Sequence, residues 1–265
     1  MWFEVDGVQI FAQTGGRPFD PSLQTVVMIH GAGMDQTVWQ QQSRYLAHHG
    51  WNVLAVDLPG HGRSEGAACG SVAESADWLI RLLDTAKLET VALVGHSLGA
   101  LISLDAAGRY AGRVSRAALL GVTPKMPVHQ DLLDAAAENR PLAGQLIVGW
   151  GFGKQAHRGG NIAPGMWMMG GGNRLLEHAG PGVLAADLSA ANAYEAGLTV
   201  AGDVQCPVLL LLGAADKMTP VKGARKLQDT IADCRTTVLP GAGHMMMVEA
   251  PRETLKAIAD FLGAS

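Results

Sequence analysis

The sequence predicts an α/β protein: a mostly parallel central sheet with helices on both faces, plus an inserted helical lid. Two observations carry this. At both ends of the chain, short apolar runs of strand length alternate with amphipathic stretches of helical length. Such alternation implies crossover connections, hence a parallel sheet covered on both sides. Between Thr123 and Gln205 the alternation stops, so that part stands outside the repeating pattern.

Trp2 to Val5 and Val8 to Gln13 read as strands joined at Asp6-Gly7, a hairpin turn signal. Val26 to Ile29 is a compact apolar run, a buried strand. Gln36 to His48 reads as a helix, with Val38, Trp39, Tyr45 and Leu46 near helical spacing. Asn52 to Val56 is a strand, and Val72 to Leu83 a helix with Ala76, Leu79, Ile80 and Leu83 on one face. Val91 to Val94 and Ala117 to Leu120 are strands around a helix from Leu98 to Ala107. The pattern resumes with a strand from Pro207 to Leu212, a helix from Ala224 to Ile231, a strand from Thr236 to Leu239 and a helix from Arg252 to Phe261.

The intervening segment is rich in Gly, Met and Ala, as in Gly149-Trp150-Gly151-Phe152-Gly153 and the stretch from Gly165 to Gly172. Its apolar content argues against disorder. It reads as a lid of loops and short helices, with Asp131 to Ala137, Leu175 to His178 and Asp187 to Ala196 as helical pieces. The division is a core of residues 1–123 and 206–265 and a lid of residues 124–205.

The 265 residues are 48% apolar and carry a formal charge of −4. A substantial core is available, and the charge gives no reason to expect nucleic acid or an anionic membrane as a partner. Cys69, Cys206 and Cys234 are odd in number and widely spaced, which suggests neither a disulfide framework nor a zinc site. Reduced thiols point to the cytoplasm. The first residues lack a basic region followed by an apolar stretch, so no signal peptide is read there. No apolar run approaches the ~20 residues of a membrane span. There is no H-E-x-x-H and no G-x-G-x-x-G after a strand, so neither a metal nor any other cofactor is expected.

Gly95-His96-Ser97-Leu98-Gly99 is G-x-S-x-G, with a strand before it and a helix after it. That setting is a nucleophile elbow, a sharp turn that lifts a serine above the carboxyl edge of the sheet. The following helix brings unpaired N–H groups and a partial positive charge to the same spot. A serine hydroxyl needs a base. Among nine histidines, only His244, in Gly241-Ala242-Gly243-His244 after the strand ending at Leu239, combines a loop at the sheet edge with the expected chain order. Asp216, in Gly213-Ala214-Ala215-Asp216, follows the strand ending at Leu212 and is the candidate to orient the imidazole. The alternative site after Leu120 holds no acid before Gln130. The catalytic candidates are therefore Ser97, Asp216 and His244. The oxyanion donors are expected to be the backbone N–H groups of Leu98 and of Ala32, the latter in His30-Gly31-Ala32-Gly33 directly after a strand.

With Asp57-Leu58-Pro59-Gly60-His61-Gly62-Arg63-Ser64 added, the ordered motifs resemble the α/β-hydrolase fold superfamily over nearly the whole chain outside the lid. The resemblance implies that the Asp57 segment supports the site without doing chemistry. Within the superfamily the chain looks most like small esterases and lactonases, including enol-lactonase-like members. Serine at 97 argues against dehalogenases and epoxide hydrolases, which use aspartate, and against dienelactone hydrolases, which use cysteine. Ala32 and Met245 stand where C–C hydrolases tend to carry a serine and an aromatic residue. The expected substrate is a small-molecule ester or lactone. A C–C hydrolase or a cofactor-free perhydrolase is the alternative on the same residues, and a ligand-binding or signalling protein that kept the fold is an alternative of another class. Met166 and Trp167 from the lid, with Met245 and His96 beside the candidate triad, are expected to form a soft apolar pocket. Arg158 and Arg174 are candidates to hold a substrate carboxylate. Oligomeric state is not readable.

Overall fold

The computed structural model describes residues 1–160 and 166–264, so Gly165 and the rest of 161–165 in the expected lid lie outside the described residues. The N-terminal hairpin consists of β1 (Trp2–Val5) and β2 (Val8–Gln13). It turns at Asp6 and Gly7, both at positive φ, as the tight hairpin turn read from this pair requires. Next come β3 (Thr25–Ile29), a 3-10 turn over Gln36–Trp39, α1 (Gln40–His48) and β4 (Asn52–Val56). The single helix expected over 36–48 is thus two, because the Asp35 side chain accepts the Thr37 N–H and tightens the first turn. Then follow α2 (Val72–Thr85), β5 (Val91–His96), α3 (Leu98–Arg109) and β6 (Val114–Leu120).

Between β6 and the next strand the chain forms α4 (Gln130–Ala137), α5 (Leu142–Gly151), α6 (Lys154–His157), α7 (Met168–Glu177), α8 (Val183–Ala193) and α9 (Gly197–Asp203). The chain closes with β7 (Val208–Gly213), α10 (Val221–Thr230), β8 (Cys234–Leu239), α11 (Met246–Glu249) and α12 (Pro251–Leu262). The insertion is more helical than its glycines predicted. Gly151 ends α5 and Gly170, Gly171 and Gly172 lie inside α7. Glycine costs a helix about 1 kcal/mol, and packing explains why it stands here. A Cβ on Gly170 would meet the Trp167 ring at 2.4 Å, and one on Gly172 would meet the Phe152 ring at 3.1 Å.

The eight strands form one sheet in the order β1-β2-β4-β3-β5-β6-β7-β8. β2 is antiparallel to β1 and β4, and every other pairing is parallel. Alternate residues divide between two cores. Val27, Ile29 and Leu93 pack with α2, α3 and α10 side chains, while Val26, Met28 and Val94 pack with those of α1 and α12. Both faces are covered, so β3, β4, β5 and β7 are buried throughout. The register pairs Ile29 with Gly95, His96 with Leu120, and Gly213 with Leu239. The carboxyl ends of β3, β5, β6, β7 and β8 therefore share one edge. Among the described residues, no helix is long and apolar enough to cross a membrane.

The turn from β5 into α3 has no spare volume. A Cβ on Gly95 would lie 2.1 Å from the Gly99 carbonyl oxygen. Gly95→Ala is expected to lower stability by at least about 1–3 kcal/mol, because backbone must move. Urea unfolding measures this, and an unchanged midpoint would show that strand and helix have room to part.

Candidate active site

Ser97 occupies the turn between β5 and α3 with φ 54° and ψ −116°. A non-glycine residue held there stores about 1–3 kcal/mol of strain. Its N–H donates to the Leu120 carbonyl at 2.9 Å, which fixes the turn to β6. Glycines let the backbones meet: a Cβ on Gly99 would lie 2.3 Å from the Ile29 carbonyl oxygen, and one on Gly31 would lie 3.2 Å from Ser97 Cβ.

Asp216 and His244 follow β7 and β8 on the same edge. His244 Nδ1 donates to Asp216 Oδ2 at 2.8 Å, and both side chains are buried. The carboxylate also accepts the Thr219 hydroxyl at 2.6 Å and the N–H groups of Met218 and Thr219 at 2.8 and 2.9 Å. Burial alone would raise the Asp216 pKa; the charge and hydrogen bond of His244, with the Thr219 donors, outweigh it and hold the carboxyl well below the usual carboxylate range. With Nδ1 committed, His244 Nε2 is buried and has no hydrogen-bond partner among the described residues. The ring packs over Gly121, whose Cβ would fall 3.0 Å from its Nδ1.

Ser97, His244, Ala32, Leu98 and Thr219 line one cavity of about 360 Å³. Its remaining wall is largely apolar: Met34, Met126, Leu132, Ile147, Trp150, Leu188 and Met218, with the Lys217 ammonium and the His129 imidazole as its polar groups. The expected pocket residues are corrected here. Met166 and Trp167 are 62% and 66% exposed and lie off this cavity, since the Trp167 ring turns back along its own helix over Gly170. Met245 is buried in the core packed against α12. His96 lies wholly buried at the end of β5, off the cavity wall, and its Nε2 donates to the His244 carbonyl at 2.9 Å. Burial, then the neighbouring His244, pushes its pKa down to about 3. Soft methionine walls are present, but other methionines supply them. Arg174 is exposed and paired with Glu177, whereas Arg158 lines a separate depression with Lys154 and Lys217.

Three residues bracing the site were not singled out from the sequence. Thr219 stands three positions after Asp216, a spacing typical of an Asp-initiated turn, so a signal existed. Glu249 begins no motif; its carboxylate accepts N–H groups from Gly243 and Met245, on either side of His244, and from Gly153 beyond α5. The His244 N–H itself donates to the Gly151 carbonyl at 2.6 Å. Asp187, on α8, accepts from His61 Nε2 and from the Gly33 N–H, each at 2.8 Å. The Asp57 segment is braced in place. Asp57 accepts the N–H groups of Gln36 and Arg63, and Ser64 links its carbonyl to the Phe11 N–H. Among the described residues, no three His, Cys, Asp or Glu side chains are grouped to hold a metal ion.

A serine in a strained turn, an imidazole with one free nitrogen and a carboxylate behind it are the groups that nucleophilic acyl transfer requires. Comparison with known proteins agrees with the fold. A model of the alpha/beta hydrolase family matches residues 26–257. The chain is similar to a 2-(acetamidomethylene)succinate hydrolase of Mesorhizobium japonicum, 30% identical over 90% of this chain and 88% of that one. It is also similar to a pimeloyl-[acyl-carrier protein] methyl ester esterase of Chromobacterium violaceum, 28% identical over 96% and 98%. The enol-lactonase from Burkholderia xenovorans LB400 superposes with a TM-score of 0.88 at 21% identity, over 99% of this chain and all of that one.

Burial would lower the His61 pKa, but the hydrogen bond and charge of Asp187, with the Pro59 carbonyl and Asp57, raise it above 6.5. The neighbouring ring, His30, has its own pKa driven well down, first by burial and then by the charge of His61. A raised histidine contributes stability that is complete below the unfolded value and is lost as pH rises through the folded one. The melting-temperature gap between wild type and His61→Gln is expected to be widest near about pH 6 and to narrow towards about pH 9. A gap that stays constant, or that widens as pH rises, would mean that folding does not raise the His61 pKa.

Proposed function

We propose that this chain, which belongs to the alpha/beta hydrolase family, is a serine hydrolase that cleaves a carboxylic ester or lactone through an acyl-enzyme. The observation that carries this reading is His244: Nδ1 is tied to Asp216, and the partnerless Nε2 belongs to a ring that lines one cavity with Ser97. In this reading Nε2 takes the Ser97 proton as Oγ attacks the carbonyl carbon. The carbonyl oxygen becomes an oxyanion held by the Ala32 and Leu98 N–H groups. His244 returns the proton to the departing alkoxide oxygen. It then takes a proton from water, whose oxygen attacks the acyl carbon, and gives that proton to Ser97 Oγ as the C–Oγ bond breaks and the acid leaves. Asp216 holds the ring's orientation and stabilises its charged form while it carries the second proton.

The insertion of residues 124–205 acts as a cap. Met126, Leu132, Ile147, Trp150 and Leu188 all come from it, so it sets which acyl or alcohol group fits. Apolar walls around a few polar groups suit a substrate that is greasy apart from its ester. The free thiols of Cys69, Cys206 and Cys234 fit action in the cytoplasm.

A fluorophosphonate probe and short p-nitrophenyl esters test this, with wild type beside Ser97→Ala. Wild type is expected to be labelled and to turn over, and Ser97→Ala to lose labelling and about 10³-fold or more of kcat. Turnover near wild-type level in Ser97→Ala would overturn the assignment. Labelling without turnover of any ester or lactone would overturn the substrate class and leave the nucleophile standing.

A further inference from the structure

A trans peptide points its C=O and N–H in opposite directions, so gripping one group aims the other. The peptide between Gly31 and Ala32 is gripped by its carbonyl. His30 Nδ1 donates to that oxygen at 2.9 Å and the Met34 N–H donates to it at 3.2 Å. Both grips arise within the loop itself. The next peptide is gripped by its N–H, and from far away: Gly33 donates to Asp187 Oδ2 at 2.8 Å, across 154 positions of sequence. Gly33 stands at φ 65°, and a Cβ on it would meet Leu184 of α8 at 2.8 Å. The loop that carries the Ala32 N–H is therefore pressed directly against the insertion.

The same Oδ2 atom accepts from His61 Nε2 at 2.8 Å, while His61 Nδ1 faces the Pro59 carbonyl at 3.0 Å. With an oxygen acceptor at each nitrogen, the ring's charged form, which donates from both, is the one these contacts favour. The His61 and Asp187 side chains are 1% and 4% exposed. A charge buried this deeply is costly unless paired, and removing one member strands the other. Apolar side chains alone could seat α8, and Leu184 and Leu188 are already there. What a carboxylate adds is direction: one oxygen fixes the Gly33 N–H and the Pro59–His61 turn against each other.

We propose that Asp187 is a positioning residue for hydrolysis, setting the loop that bears the Ala32 oxyanion donor so that the oxyanion hole is complete only when the insertion is seated. This rests on the acyl-enzyme reading above. Asp187 touches no reacting atom; it acts through the Ala32–Gly33 peptide.

The test separates oxyanion binding from folding and from substrate binding. Asp187→Ala and Asp187→Asn are compared with wild type and with Tyr194→Phe. The last variant removes a hydrogen bond from Tyr194, just after α8, to Asp105 on α3, and leaves the Gly33 loop alone. Misplacing a transition-state donor by about 1 Å costs on the order of 100-fold in rate. Asp187→Ala is expected to lose about 10- to 100-fold in kcat for a p-nitrophenyl ester with KM changed less than about twofold. Its affinity for a trifluoromethyl ketone, whose adduct with Ser97 places an oxyanion in the hole, should fall by the same factor as kcat/KM. Asp187→Asn, which keeps an acceptor oxygen for Gly33, should lie between. Tyr194→Phe should lower the melting temperature while kcat and ketone affinity stay near wild type. The proposal is overturned if Asp187→Ala keeps wild-type kcat, or if its loss appears in KM alone. It is also overturned if Tyr194→Phe, destabilised to the same degree, loses ketone affinity equally. Failure of wild type itself to react with ester and ketone would instead overturn the acyl-enzyme reading.

Discussion

The turn at Ser97 is the constraint around which the rest is arranged. A β-strand must become a helix within one residue, and that residue is not glycine. Its φ of 54° is sustained because neighbours on every side over-determine it. The parallel pairing of β5 with β3 and β6 anchors one side, and the burial of α3 from Leu98 to Ala107 anchors the other. Gly95, Gly99 and Gly31 let three backbones converge where any Cβ would collide. The strain is thus local and its compensation is spread over the sheet, which makes the position of the hydroxyl insensitive to any one contact.

The loops around that hydroxyl have no such scaffold and are held by buried carboxylates instead. Asp216 gathers Thr219 and the His244 ring. Glu249 gathers the backbone on both sides of His244 and a piece of the insertion at Gly153. Asp187 gathers the Gly33 and His61 loops from α8. Burial opposes the charge on a carboxylate, and in each case N–H or O–H donors converge on its oxygens. In Glu249 burial still prevails and its pKa is raised despite three backbone donors; in Asp216 the imidazole tips the balance the other way. Two of these three clusters join the insertion to the core, so the placement of the insertion and the geometry of the reacting loops are not independent.

This division explains what was legible in the sequence. Strands and the Gly95–Gly99 turn are specified within a few residues, by apolar runs and by glycine at fixed offsets, and the sheet, its alternation and the closeness of Asp216 to His244 follow from them. The Asp216 partner Thr219 was within reach of the same local reasoning. Glu249 and Asp187 were not, because their partners are set by how α5 and α8 dock, and nothing near either residue in the chain announces those partners. Gly170 and Gly172 of α7 misled for the same reason. Locally they read as loop, while in the folded chain they make room for Phe152 and Trp167. Trp167 was assigned to the pocket on its chemistry alone, and its exposure follows from a ring that lies back over Gly170.

Four buried imidazoles lie at or beside the site, and their surroundings give them different work. His30 donates from Nδ1 to Gly31 and accepts the Leu58 N–H at Nε2, so one proton satisfies it and burial keeps it neutral. His96 donates from Nε2 to the His244 carbonyl and is likewise held neutral by burial. His61 alone faces two acceptors, one of them a carboxylate, and is the ring whose charged form its surroundings favour. His244 has a carboxylate on one nitrogen and a cavity beside the other. Neutral neighbours at His96 and His30 spare the site additional positive charges that would oppose the protonation of His244 that the proposed mechanism requires. A charge on His61 is answered by Asp187, at 2.8 Å, before it reaches the cavity. With two rings kept neutral and the third paired with Asp187, His244 is left as the ring that carries the proton in the proposed mechanism.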